Sequence, residues 1–194
     1  LPKPTIDYSI RIFSSPEKLD EEICKLADKE ESSLSRLIAT YDWEYNDKTD
    51  PTERLSKYWE VLINGWHKPW NRELESELSP KQKRYNKKLA WAEQKQTIGE
   101  VGSTFTIQGF DLNYAGVILG PSVKYKDGRI VFDPDSSCNT KAVRKRTLSD
   151  GTKKKFGEEL LRHEVRVLMT RGVNGLFIYA CDEELRKALL AAVE

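Results

Sequence analysis

Soft metal ligands are scarce in this sequence of 194 residues, which has two histidines and three cysteines. His67 and His163 show no His-Glu-x-x-His spacing, and Cys24, Cys138 and Cys181 are far apart with no Cys-x-x-Cys pair. A histidine-rich metal centre, a cysteine zinc site and a disulfide framework are therefore not expected, and a reducing cytoplasm is the expected compartment. No apolar run approaches the roughly 18–20 residues of a membrane span. Leu1-Pro2-Lys3-Pro4 lacks the apolar stretch of a secretory signal. Charge of one sign is also missing: Lys+Arg 32 against Asp+Glu 31 gives +1. Bulk charge announces no basic nucleic-acid module, so any such contact must be local. The sole methionine is Met169, which leads us to expect a piece of a longer protein. Phosphate-binding signatures are absent too: neither Gly-x4-Gly-Lys-Ser/Thr nor Gly-x-Gly-x-x-Gly occurs. No triad pattern or cofactor fingerprint supports a small-molecule enzyme.

What is present reads as a folded chain. Hydrophobic residues make up 38% and aromatic residues 10%, too much for disorder. The length suits one domain, 1–194, with a substantial core. Tyr8 to Phe13 alternates as a strand, and Ser15-Pro16-Glu17 opens a helix carrying Leu19, Ile23 and Leu26. Leu34 to Thr40 and Trp59 to Ile63 read as further strands. All five tryptophans fall between Trp43 and Trp91, and the segment 44–96, which holds four of them, reads as an insertion. A buried satellite core explains them better than base stacking does. Ser79-Pro80 opens a basic, exposed helix running through Lys95.

Ala115 to Leu119 is an apolar run suited to a strand covered on both faces. Val123 to Phe132 is a hairpin turning at Asp127-Gly128. Residues 133–155 form a basic loop. It either holds a nucleic-acid backbone or is simply solvated. A helix marked by Leu161, Val165, Leu168 and Met169 leads to a last buried strand, Leu176 to Ala180. The run Phe177 to Glu183 looks like a Walker B strand, but Asp182 as the cap of a final helix explains it better. Strands interspersed with helices predict an α/β layered domain with a mostly parallel sheet, into which the hairpin is inserted.

Two segments carry a sharper signal. Gly102 to Ile118 contains Thr104-Phe105-Thr106-Ile107-Gln108-Gly109-Phe110-Asp111, and Arg166 to Tyr179 contains Leu168-Met169-Thr170-Arg171-Gly172. Taken singly, the first is a turn and the second a helix end, with Gly172 as terminator and Arg171 at the negative pole. Together, in this order and each leading into an apolar strand, they resemble motifs V and VI of superfamily-1 helicases. With Ser35 to Trp43 and Trp70-Asn71, the chain more narrowly resembles the Schlafen group-3-like DNA/RNA helicase domain.

That resemblance implies a RecA-like domain, the second of two, lacking its own Walker A loop. An upstream RecA-like domain of the same protein would complete an ATP and Mg²⁺ site, and the chain alone would be inactive and bind neither tightly. Arg171 matches the arginine finger, a charge supplied across the cleft to the transferring phosphoryl group. Thr170 would orient it. Gln108, Gly109 and Asp111 match the nucleotide-facing motif V turn, and Arg36 the motif IV arginine. Thr106 and the lysines Lys153, Lys154 and Lys155 are the candidate contacts to DNA or RNA, expected to be single-stranded. Asp111 is one methylene shorter than the family's usual Glu, Asn113 replaces a frequent Asp, and His163-Glu164-Val165 replaces Asn-x-Tyr. The implied function is the C-terminal motor domain of a helicase or translocase. The alternative is a non-catalytic RecA-like binding module. No metal ligand set and no membrane contact are expected.

Overall fold

The structure is a computed structural model that describes residues 8–49, 51, 56–147 and 149–193. Its strands are β1 (Ser9–Ile12), β2 (Arg36–Ala39), β3 (Glu60–Ile63), β4 (Trp66–Pro69), β5 (Val101–Gly102), β6 (Leu112–Leu119), β7 (Val123–Lys126), β8 (Arg129–Phe132), β9 (Arg146–Thr147), β10 (Lys153–Lys154) and β11 (Gly172–Ala180). Its α-helices are α1 (Pro16–Lys29), α2 (Pro80–Asn86), α3 (Thr140–Val143), α4 (Gly157–Met169) and α5 (Glu183–Ala191). Five strands form one parallel sheet in the order β1-β11-β6-β2-β5.

The sheet sorts side chains by the two-residue period of a strand. Leu37, Ala39, Ile118, Phe177 and Tyr179 join one buried cluster with Leu19 and Ile23 of α1. Ile38, Ala115, Val117, Leu119, Leu176, Ile178 and Ala180 join the other, with Leu168 of α4 and Leu185 of α5. The result is the helix–sheet–helix layering expected of a RecA-like α/β domain. Each fully buried Leu or Ile contributes roughly 1.5–3 kcal/mol. The helix starts follow their local chemistry. The Ser15 hydroxyl accepts from Lys18 N with Pro16 in the first turn, and the Asp182 carboxylate accepts from Leu185 N.

Trp59 to Ile63 contains the expected strand, β3, which pairs antiparallel with β4 in a hairpin separate from the central sheet, while three other expectations are corrected. Asn64 (φ 47°) and Gly65 (φ 92°) make the hairpin's tight turn. The sheet's outer position goes to β5, two residues long, a run too short to show periodicity. The basic helix stops at Asn86, because Trp91 turns inward to 3% exposure and the chain follows it in short 3-10 turns. Residues 133–155 are not one loop: they hold α3 and the small β9–β10 hairpin. The tryptophans Trp70 and Trp91 are buried, and Trp70 packs in the same cluster as α1 and the sheet. The insertion therefore extends the main core.

Candidate functional site

Parallel strands give the sheet an amino edge and a carboxyl edge. Helix α4 returns the chain to the amino edge, where Thr170 caps it and Arg171 leads directly into β11. The 103–111 segment arrives at that edge and enters β6. Because β6 and β11 are neighbours, Gly172 stands opposite Leu112, and Leu112 N donates to the Arg171 carbonyl at 2.8 Å. Two segments 60 residues apart in sequence are thus joined (111 and 171).

Their side chains meet as well. Arg171 Nη1 lies 3.3 Å from Asp111 Oδ1, with the arginine side chain 20% exposed and the aspartate 64%. Arg171 Nε donates to the Val167 carbonyl at 3.0 Å, and Nη2 reaches Thr170 Oγ1 at 3.5 Å. The Thr170 hydroxyl is itself directed to the Arg166 and Val167 carbonyls of the last helical turn. An exposed ion pair of this kind is worth about 0–1 kcal/mol, so a phosphate can replace the carboxylate at small cost. A guanidinium can then take two phosphate oxygens. Gln108 and Gly109 sit exposed on the same approach, Gly109 at φ 75° with open space where a Cβ would stand. Its conformation, not crowding, is what favours glycine there.

Arg36 stands at the amino end of β2 but turns inward. It is 2% exposed, and its guanidinium donates to Thr97 Oγ1 (2.9 Å) and to the carbonyls of Ser33 (2.6 Å), Ser35 (2.8 Å) and Gln94 (3.4 Å). Burial lowers its pKa to about 10, which still leaves it charged at neutral pH. The expectation that Arg36 faces a nucleotide is corrected: it ties the insertion to the sheet. Thr106 lies at the other end of its segment, half-buried. Its hydroxyl accepts from Ser103 N (2.8 Å) and donates to the Ser103 carbonyl (3.0 Å), closing a local turn. It lines a cleft at the carboxyl edge, away from Asp111.

The lysines Lys153, Lys154 and Lys155 are exposed beside the start of α4, and Lys154 Nζ lies 5.1 Å from the Phe156 ring centroid. Arg171 follows the far end of that helix of 13 residues. At 1.5 Å per residue the two features are about 20 Å apart, so the structure does not bring them together. Among the described residues, no three or more His, Cys, Asp or Glu side chains are grouped to hold a metal ion, and no helix is long and apolar enough to cross a membrane.

Sequence reasoning missed a buried carboxyl pair at the carboxyl edge. Glu164 of α4 accepts from Tyr41 N at 2.7 Å, and Asp42 Oδ2 accepts from Thr40 Oγ1 (3.0 Å) and Ser122 N (2.9 Å). Burial, reinforced by Asp42, raises the Glu164 carboxyl to about 7, against the lowering by Tyr41 N–H. Burial raises Asp42 too, against its hydrogen bonds. No local signal could reveal a contact between residues 123 positions apart.

Comparison with known proteins agrees with this architecture. Residues 2–182 match the family described as Schlafen group 3, DNA/RNA helicase domain. An uncharacterized protein of Saccharomyces cerevisiae is 36% identical over 166 residues, covering 80% of this chain and 31% of its own length. The chain thus spans about a third of that relative. No solved structure matches it. With most of its length matched and the two helicase-like segments meeting at one sheet edge, the chain belongs to the Schlafen group 3 DNA/RNA helicase domain family.

Proposed function

We propose that this helicase-family domain is the second motor domain of an ATP-dependent helicase or translocase. Its amino edge forms one wall of an ATP site, and an upstream RecA-like domain of the same protein supplies the other wall. Arg171 acts as the arginine finger, exchanging Asp111 for the transferring phosphoryl group as the cleft closes. Thr170 and the Val167 carbonyl fix the starting position of its guanidinium. Gln108 and Gly109 lie against the nucleotide. Mg²⁺ arrives with ATP and is held by the upstream half. DNA or RNA, in single-stranded form, is the track.

The observation that carries this reading is the meeting of Asp111 and Arg171 across neighbouring strands. The test is ATP hydrolysis by the intact protein with and without single-stranded DNA or RNA, wild type beside Arg171→Ala. Turnover stimulated by the strand should fall by about 10³-fold or more in the variant, with the cooperative unfolding transition of the domain retained. A variant as fast as wild type would make Arg171 a helix-end residue. No turnover from either protein would favour a non-catalytic binding module.

A further inference from the structure

Between Arg144 and Lys155 the chain carries six cations (Arg144, Lys145, Arg146, Lys153, Lys154 and Lys155) and a single acid, Asp150. Every described residue of that stretch is exposed. The β9–β10 hairpin inside it pairs two residues on each strand and joins no other sheet. Arg146 stands directly opposite Lys154. Like charges facing one another across a strand pair destabilise it, and an isolated two-stranded hairpin is marginal in water even without them. Asp150 is engaged in the turn, where Thr152 N (2.9 Å) and Thr152 Oγ1 (2.6 Å) donate to its Oδ1. The hairpin is short of negative charge.

Ser149 lies in that turn, exposed. Arg144 and Arg146 precede it by five and three residues, and no other Ser or Thr of the sequence has arginines at both places. That spacing is the substrate pattern of basophilic Ser/Thr kinases, whose acidic clefts take guanidinium groups through paired hydrogen bonds. Such a kinase needs its substrate extended and free of the fold. This hairpin can be released at small cost, because its described residues are all exposed. Thr147 fits less well, with Arg144 three residues before it but Ala142 at five. Ser79 is held in its capping box with Gln82.

We propose that Ser149 is a phosphorylation site, and that its phosphate converts a self-repelling hairpin into an ordered one whose Arg146 and Lys154 share a counter-ion. In the transfer, Ser149 Oγ attacks the γ-phosphorus of ATP held by the kinase. The Oγ–P bond forms and the bond from that phosphorus to the β-phosphate oxygen breaks. ADP leaves, and the hydroxyl proton passes to the kinase's catalytic carboxylate and on to solvent. The product carries close to two negative charges at neutral pH and three strong acceptor oxygens. These draw the neighbouring lysines inward and away from any outside phosphate. Only that last effect rests on the helicase role proposed above; the modification and the ordering do not.

The test is incubation of the intact protein with Mg²⁺, ATP and a purified kinase that selects arginines three and five residues before its acceptor. One phosphoryl group should be added and should map to Ser149 by peptide mass spectrometry. Ser149→Ala should abolish that addition, and Arg146→Ala should slow it about ten-fold or more. Both positions are exposed, so both variants should unfold like wild type. No incorporation, or incorporation elsewhere with Ser149 untouched, would overturn the site. Amide hydrogen exchange across 146–154 should slow about ten-fold on phosphorylation, and exchange as fast as before would overturn the ordering. Affinity for single-stranded oligo(dT) at low salt should fall in parallel, with the slope of log K against log salt shallower by about two. Unchanged affinity with an ordered hairpin would overturn the effect on the strand alone, while turnover of Arg171→Ala reports separately on the motor.

Discussion

Arg36 and Arg171 carry the same guanidinium at the same edge of the sheet, and their surroundings give them opposite roles. Arg36 has its donors committed to the hydroxyl and carbonyls around it inside the protein. Arg171 rests on one exposed carboxylate and one carbonyl and can exchange the first. The family resemblance offered both to the nucleotide, and burial separated them. The same holds for acids. Glu164 keeps its proton to about pH 7 in the folded protein, against the ordinary 4.5. Between those values the folded state binds a proton that the unfolded state has released. Stability therefore falls as pH rises through that window, by up to about 1.4 kcal/mol per pH unit for such a group. Glu100, pushed up to about 8 by burial, works in the same direction. Glu164→Gln keeps an acceptor for Tyr41 N–H and removes one proton from this balance. Its melting temperature should fall less than wild type's between pH 5 and 7, and identical slopes would refute the assignment.

At the scale of elements, β6 shows how tightly the sequence is bound to its packing. Gly116 lies under α1, where an added Cβ would come within 2.6 Å of Ile23 Cγ1 and 2.7 Å of Leu37 Cδ2. Both neighbours are buried core side chains with little room to shift. Gly116→Ala should destabilise the domain by about 1–3 kcal/mol, read as a lower denaturation midpoint at unchanged slope. Helix starts, the alternation of β6 and β11 and the turn at Asp127-Gly128 were legible because each depends on neighbours within a few residues. Strand β5 was not, since its two residues gain their place only by pairing with β2. The hairpin at Asn64-Gly65 carried a readable turn signal. Its separation from the central sheet did not, because pairing partners are chosen in three dimensions.

At the scale of the whole molecule, α4 is a spacer that holds two surfaces about 20 Å apart. Arg171 faces one side, while Lys153, Lys154 and Lys155 face the other. The three lysines, if they hold a strand, act through phosphates. Replacing all three by Glu in the intact protein should weaken single-strand affinity at low salt and lower the slope of log K against log salt by about two. Turnover at saturating strand should persist, since the phosphoryl site is elsewhere. Unchanged affinity would remove these residues from the interface. The sequence by itself determined the layered α/β plan and the order of its principal helices and strands, because these rest on local periodicity, capping and turn chemistry, and it carried the two helicase-like segments as a family resemblance. Only the tertiary structure decided that Asp111 and Arg171 are partners and that Arg36 is interior. Those facts depend on which strands lie side by side and which groups lose water, and neither is fixed until the chain has closed on itself.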